Sequence, residues 1–247
     1  MSSDALGATT TDKTAVRNAA TVIVLRDRLD EPKVLMGQRG AQAAFMPNKF
    51  VFPGGAVDPD DAGVPLARRM PQVCRERLLE DAPEDFTHAL ATAAIRELWE
   101  ETGLIIGQPG NWWVEPPEDW ADFAAAGYLP DAHPLQFVFR AITPPGRPRR
   151  FDARFFLVDA DEIANDLDDF SAAHDELSHL QWIPLQKVRE FDLPFITEVV
   201  LAEVAARAHD LSPPDNVPFF NNSREESLFQ RLKGRGPLSG KRIDQSE

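Results

Sequence analysis

Four charged residues stand within six positions: Arg96, Glu97, Glu100 and Glu101, in the run Ala94-Ile-Arg-Glu-Leu-Trp-Glu-Glu-Thr-Gly-Leu104. On a helix, Glu97 lies one turn from both Glu100 and Glu101, so three carboxylates share one edge. Like charges at that spacing repel by roughly 0.2–0.5 kcal/mol per pair, and Arg96 offsets only one of them. Two readings fit the cluster taken alone, a solvated salt-bridged face or a divalent cation site. All-oxygen carboxylate sites suit Mg²⁺ or Mn²⁺.

These residues need a helix and something to face them. His88 to Glu101 is rich in helix formers, and Gly103 supplies the stop. Lys49-Phe-Val-Phe-Pro-Gly-Gly55 reads as a short strand ending in a turn, where paired glycines permit close backbone approach. Upstream, Ala19–Arg26 and Lys33–Gln38 read as a hairpin. Between turn and helix, Val57 to about Thr87 is polar and proline-punctuated, with a short helix around Val73–Glu80.

Downstream, Leu104–Ile106 is expected to re-enter as a strand. Gln108–Pro134 is a loop with a helical stretch from Glu118 to Ala126; its tryptophans, Trp112, Trp113 and Trp120, either stack on a base or anchor the loop. Leu135–Ile142 and Phe151–Val158 read as strands joined by Thr143-Pro-Pro-Gly-Arg-Pro-Arg-Arg150, whose arginines form a phosphate clamp or a solvated loop. A strand from Glu176 to Pro184 and a packing helix from Pro194 to His209 follow. Residues 1–14 are expected to form a flexible tail, 15–210 a single domain with an insertion at about 62–87, and 211–247 a C-terminal extension.

Composition narrows the function. The chain has 247 residues, 43% of them hydrophobic, enough for a sizeable core. A net charge of −14 argues against nonspecific nucleic-acid binding and against docking on an anionic membrane. Cys74 is the single cysteine, which excludes an intrachain disulfide framework and suits a reducing compartment. It sits in the insertion, away from the carboxylates, so no covalent nucleophile is indicated. No apolar run is long enough to span a bilayer and no signal-peptide core is evident, and a cytoplasmic location is expected.

Gly54-Gly55 followed by Arg96-Glu97-Leu98-x-Glu100-Glu101-x-Gly103-Leu104 resembles the Nudix hydrolase box, G-x5-E-x7-R-E-U-x-E-E-x-G-U with U a bulky aliphatic. The second half matches at every fixed position. The first half departs from it, since Asp61 stands where glutamate is expected and 34 residues, rather than seven, lie between Asp61 and Arg96. An alternative alignment puts His88 at the glutamate position. The acid that braces Arg96 is therefore open among Asp58, Asp61 and Glu84.

The interrupted box, with Arg39 to Gly55 and Arg149 to Phe156, resembles the branch containing the mammalian organellar coenzyme A diphosphatases. The separate coenzyme A signature L-L-T-x-R-[SA]-x3-R-x3-G-x3-F-P-G-G is broken here by Ala44 and Asn48, so that motif does not assign coenzyme A.

The resemblance implies an α/β/α sandwich with a mixed sheet and a catalytic loop-helix-loop. It implies a metal-dependent hydrolase that cleaves a nucleoside diphosphate linked to another moiety, with coenzyme A or its acyl esters as one candidate and ADP-ribose or NADH as another. A non-catalytic nucleotide-binding regulator is the alternative of another class. Glu97, Glu100, Glu101 and the Gly55 backbone are implied at Mg²⁺ or Mn²⁺. Arg96, Glu97 and Glu176 are implied in catalysis, and Arg39, Arg149 and Arg150 are expected to bind substrate. The expected partner is a small-molecule nucleoside diphosphate derivative, and homodimers are frequent in the family.

Overall fold

A computed structural model describes residues 15–43, 45–82, 85–223 and 228–234. Its centre is β1 (Val16–Arg26), whose side chains alternate between two cores: Ala20, Val22 and Val24 pack on one side, Ile23 and Leu25 on the other. β1 forms the expected hairpin with β2 (Lys33–Arg39). The Phe50 segment splits into β3 (Phe50–Val51), paired with β2, and β4 (Gly54–Ala56), paired with β1. A 3-10 turn over Pro59–Gly63 leads into the insertion, where α1 (Gln72–Leu78) lies.

The long helix, α2 (Thr87–Thr102), ends at Gly103, which takes the left-handed conformation at φ 73° and donates its N–H to the Trp99 carbonyl. No cap comes from Phe86. Instead Asp85 Oδ1 accepts from the Thr87 N–H and hydroxyl. Thirteen of its sixteen residues are buried, so this is a core helix, and the solvated-face reading of the carboxylate cluster does not hold.

Leu104–Ile106 is buried but unpaired; the strand begins one residue later, as β5 (Gly107–Pro109), paired with β6 (Tyr128–Pro130) in a separate two-stranded sheet. Between them α3 (Ala121–Ala125) carries Phe123 into a cluster with Trp99 and Trp120. β7 (Gln136–Ile142) and β8 (Arg150–Asp159) pair antiparallel, and β8 runs parallel to β1. β9 (Leu177–Pro184) pairs with β2, and α4 (Phe195–Arg207) follows it.

The stretch from 211, read in the sequence as an extension, supplies two further strands. β10 (Val217–Asn221) lies parallel to β7, and β11 (Leu228–Leu232) forms the edge. The main sheet thus runs β11-β10-β7-β8-β1-β2-β3, with β4 beside β1 and β9 beside β2. α1, α2 and α3 cover one face, where Cys74, Leu98 and Phe123 are buried, and α4 covers the other through Val200, Leu201 and Val204. This is a mixed-sheet α/β/α sandwich.

Candidate active site

Arg96 is the hub of the site. Its Nε and Nη2 donate to Asp61 Oδ1 and Oδ2, both at 3.0 Å. Nη2 also reaches the Ala56 carbonyl, and Nη1 donates to Glu97 Oε1 at 3.0 Å and Glu100 Oε2 at 3.2 Å. Burial alone would lower the pKa of Arg96, but Asp61, Glu97 and Glu100 raise it overall, so it stays cationic.

Asp61, 1% exposed, is the acid that braces Arg96, and it stands just before the insertion. The Asp58 N–H donates to its Oδ2 and the Thr92 hydroxyl to its carbonyl, so α2 and the 3-10 turn fix each other. Asp58 stands further off, its Oδ2 3.4 Å from Arg96 Nη2. His88 turns to the Val64 carbonyl instead and plays no part in bracing Arg96. Glu84 lies outside the described residues.

The glycine turn meets α2 at its carboxylates. Gly54 N–H donates to Glu101 Oε2 at 2.7 Å, and a β-carbon at Gly55 would overlap the Glu97 carboxylate. Glu101 Oε1 is buried and has no hydrogen-bond partner among the described residues. Burial raises the pKa of Glu97 to about 7 against the pull of Arg96. Glu101 is raised well above the ordinary carboxylate range by burial and then by the neighbouring Glu97 charge. Glu100, raised by burial, faces Arg96. Two crowded carboxylates, one with an orphaned oxygen and the other seated against a bare glycine, are the donor chemistry that a hard divalent cation satisfies.

Among the described residues, however, no three acidic, histidine or cysteine side chains converge as a ready-made metal cage. The fit is therefore to a cation held by few carboxylates, with water and substrate oxygens completing its shell.

Glu97 lines a cleft of about 940 Å³, which Gly54, Gly55, Arg39, Arg149 and Glu176 also line. Arg39 Nη2 donates to Glu176 Oε1 at 2.7 Å, tying the two together across β2 and the start of β9. Arg150 is not in the cleft: its Nε donates to the Thr143 carbonyl and its Nη2 to the carbonyls of Asn222 and Ser223, so it fastens the β7–β8 loop to the end of β10. The expectation that it binds substrate is corrected accordingly. Arg17 and Lys49 line the cleft and were not picked out from the sequence, and Arg147 lines it too. Arg147 and Arg149 are two of the three arginines of the proline-rich loop that was read as a phosphate clamp or a solvated loop.

Trp112 and Trp120 resolve as anchors, whereas Trp113 is exposed. Trp120 is 1% exposed, Trp112 donates its indole N–H to the Tyr128 carbonyl, and neither they nor Trp113 line the cleft.

No family model matches the chain. A Caenorhabditis elegans protein that carries the name nudix hydrolase 7 is 30% identical, over 68% of this chain and 51% of its own length. An acyl-coenzyme A diphosphatase, NUDT19 of Gallus gallus, is 27% identical, over 51% of this chain and 47% of its own. The chain thus spans about half the length of the curated relatives it matches. The crystal structure of a NUDIX hydrolase from Alicyclobacillus acidocaldarius superposes with a TM-score of 0.58 at 28% identity, over 79% of this chain and 93% of that one. With the sandwich and these likenesses around an intact Arg96–Leu104 signature, the chain belongs to the Nudix hydrolase family.

Proposed function

We propose that this chain is a metal-dependent pyrophosphohydrolase acting on a nucleoside diphosphate linked to another moiety, with coenzyme A and its acyl esters as the first candidates. The observation that carries this reading is the placement of Glu97 and Glu101 against Gly54-Gly55, beside a large cleft that Arg17, Arg39, Arg147 and Arg149 line.

Hydrolysis joins a water oxygen to phosphorus, breaks the bridging P–O bond and releases a proton from the attacking water. Glu97, the buried carboxylate that lines the cleft, is the first group placed to accept that proton, and Glu176 is the second. Glu97 and Glu101 would hold Mg²⁺ or Mn²⁺, with Glu100 one turn away. When bound, such an ion offsets phosphate charge and lowers the pKa of coordinated water. Arg96, clamped by Asp61, orients Glu97 and Glu100, while Arg39, Arg147 and Arg149 offer charge to the diphosphate.

Purified protein with Mg²⁺ or Mn²⁺ is expected to cleave at least one of coenzyme A esters, ADP-ribose, NADH and dinucleoside polyphosphates. No cleavage across the panel would sink the reading. Tight nucleotide binding without turnover would favour the regulator instead. The same reading takes the chain as a cytoplasmic homodimer, which light scattering tests. Among the described residues no helix is long and apolar enough to cross a membrane.

A further inference from the structure

We infer that the outer edge of β11 pairs with the same edge of a second copy of this chain, joining the two main sheets across a two-fold axis; the inference rests on the homodimer in the reading above and says where it forms. β11 is the last strand of the sheet, and among the described residues it pairs with β10 alone. Pro218 has no N–H, yet the β10–β11 ladder runs through it from Val217 to Asn221. The hydrogen bonds of that ladder therefore come from the alternate residues Val217, Phe219 and Asn221, and their partners Leu232, Gln230 and Leu228 turn their N–H and C=O groups toward β10. Phe229 and Arg231 consequently turn theirs outward, where a further strand would bond.

The side chains of this edge suit burial. Leu228 is 51% exposed and Phe229 is 55% exposed. Phe229 stands opposite Phe220, whose ring lies 6.4 Å from that of Phe195, so a row of phenyl rings runs out to the edge. Edge strands are commonly guarded by charges that project across them. Arg231, the one charged residue within β11, is instead folded back along the strand. Its guanidinium lies 5.2 Å from the centre of the Phe229 ring, and its Nη1 donates to Asn216 Oδ1 at 3.2 Å.

The occupant follows from the register. Antiparallel self-pairing centred on Gln230 uses all five residues of the strand and sets Leu228 of each copy against Leu232 of the other. It also joins Phe229 of each copy to Arg231 of the other through their outward N–H and C=O groups. Each cation then meets a ring rather than a like charge.

The test is light scattering of the full chain over a dilution series, with Arg231→Pro and Gln230→Cys as variants. The unaltered protein is expected to show the mass of two chains. Arg231→Pro removes an outward N–H and leaves the bonds to β10 in place, so its thermal melt should be retained. Hydrogen bonds are then lost on both sides of the axis, and the dimer dissociation constant should rise at least about tenfold. Gln230 would face its own copy as a non-hydrogen-bonded pair with α-carbons about 4.5 Å apart, within disulfide range, so Gln230→Cys should cross-link rapidly under mild oxidant. Cys74 is fully buried and does not compete, and Leu29→Cys, at a position 72% exposed, measures the rate of chance collision. A monomeric mass would overturn the inference together with the homodimer. A dimer indifferent to Arg231→Pro, or a Gln230→Cys cross-link no faster than that of Leu29→Cys, would overturn this edge alone. None of these readouts depends on hydrolysis of the nucleotide panel.

Discussion

Asp61 and Arg96 are 35 positions apart in the chain and face each other as a two-point ion pair, with both contacts at 3.0 Å and both residues buried. The insertion that separates them is therefore looped out between two residues that meet in the site. Removing one partner of a buried pair leaves the other charge unpaired and costs about 3–5 kcal/mol. Asp61→Ala should show a loss of that size in urea denaturation, with hydrolysis falling at least about tenfold as Arg96 loses its orientation. A cost under about 1 kcal/mol would mean that Asp58 can take over the brace.

Gly55→Ala puts a methyl group into the space of the Glu97 carboxylate. Displacing that carboxylate should weaken Mn²⁺ binding at least about tenfold, measured by calorimetry, while circular dichroism keeps the native helix signal. Gly40→Ala, where a β-carbon meets nothing within 4 Å among the described residues, serves as the control. Equal metal affinity in both variants would remove Gly55 from the site.

The buried carboxylates set a pH dependence. Glu97 is raised from 4.5 to about 7, and Glu100 and Glu101 are also raised, so between those values the folded protein binds more protons than the unfolded chain. Stability of the metal-free protein is then greatest below about pH 4.5, as far as these groups are concerned, and falls as pH rises toward 7. Each group contributes a slope of at most about 1.4 kcal/mol per pH unit. The lowered acids, Asp85, Asp168, Asp169 and Asp210, act below their ordinary value of 3.8 and leave this window alone. Denaturation midpoints in a chelator should drop across the window, and Glu97→Gln should flatten the drop. A midpoint that climbs with pH would contradict the burial of these groups.

Neighbouring arginines separate binding from support. Arg149 lines the cleft, and Arg149→Ala should raise KM severalfold with kcat and the melting temperature nearly unchanged. Arg150 is bonded to three backbone carbonyls, and Arg150→Ala should lower stability by about 1–3 kcal/mol with KM held. The reverse pattern in steady-state kinetics and thermal melts would exchange their roles.

What the sequence revealed was what is local. The carboxylate helix, its glycine stop and the Gly54-Gly55 turn are written in adjacent residues, and they lie where their spacing put them. The brace on Arg96 was open because choosing among Asp58, Asp61, Glu84 and His88 depends on where the insertion folds back. Arg150 could be read as charge but not as to which carbonyls it serves. β10 was missed because Val217-Pro-Phe-Phe-Asn221 is short, contains proline and becomes a strand only through pairing with β7. Leu104–Ile106 misled in the opposite way: its apolar run is buried by packing and has no strand partner.

The parallel pairing of β1 with β8 joins residues 16–25 to 150–159, and β7 with β10 adds another distant link. Contacts so far apart in the chain make folding slow, because loop-closure entropy is lost before those contacts form. The β1–β2 hairpin and α2 are local enough to form early, whereas Phe220, which lines the cleft, belongs to β10 and is synthesised well after α2. A nascent chain can therefore carry the complete carboxylate helix well before it has a cleft able to hold a substrate.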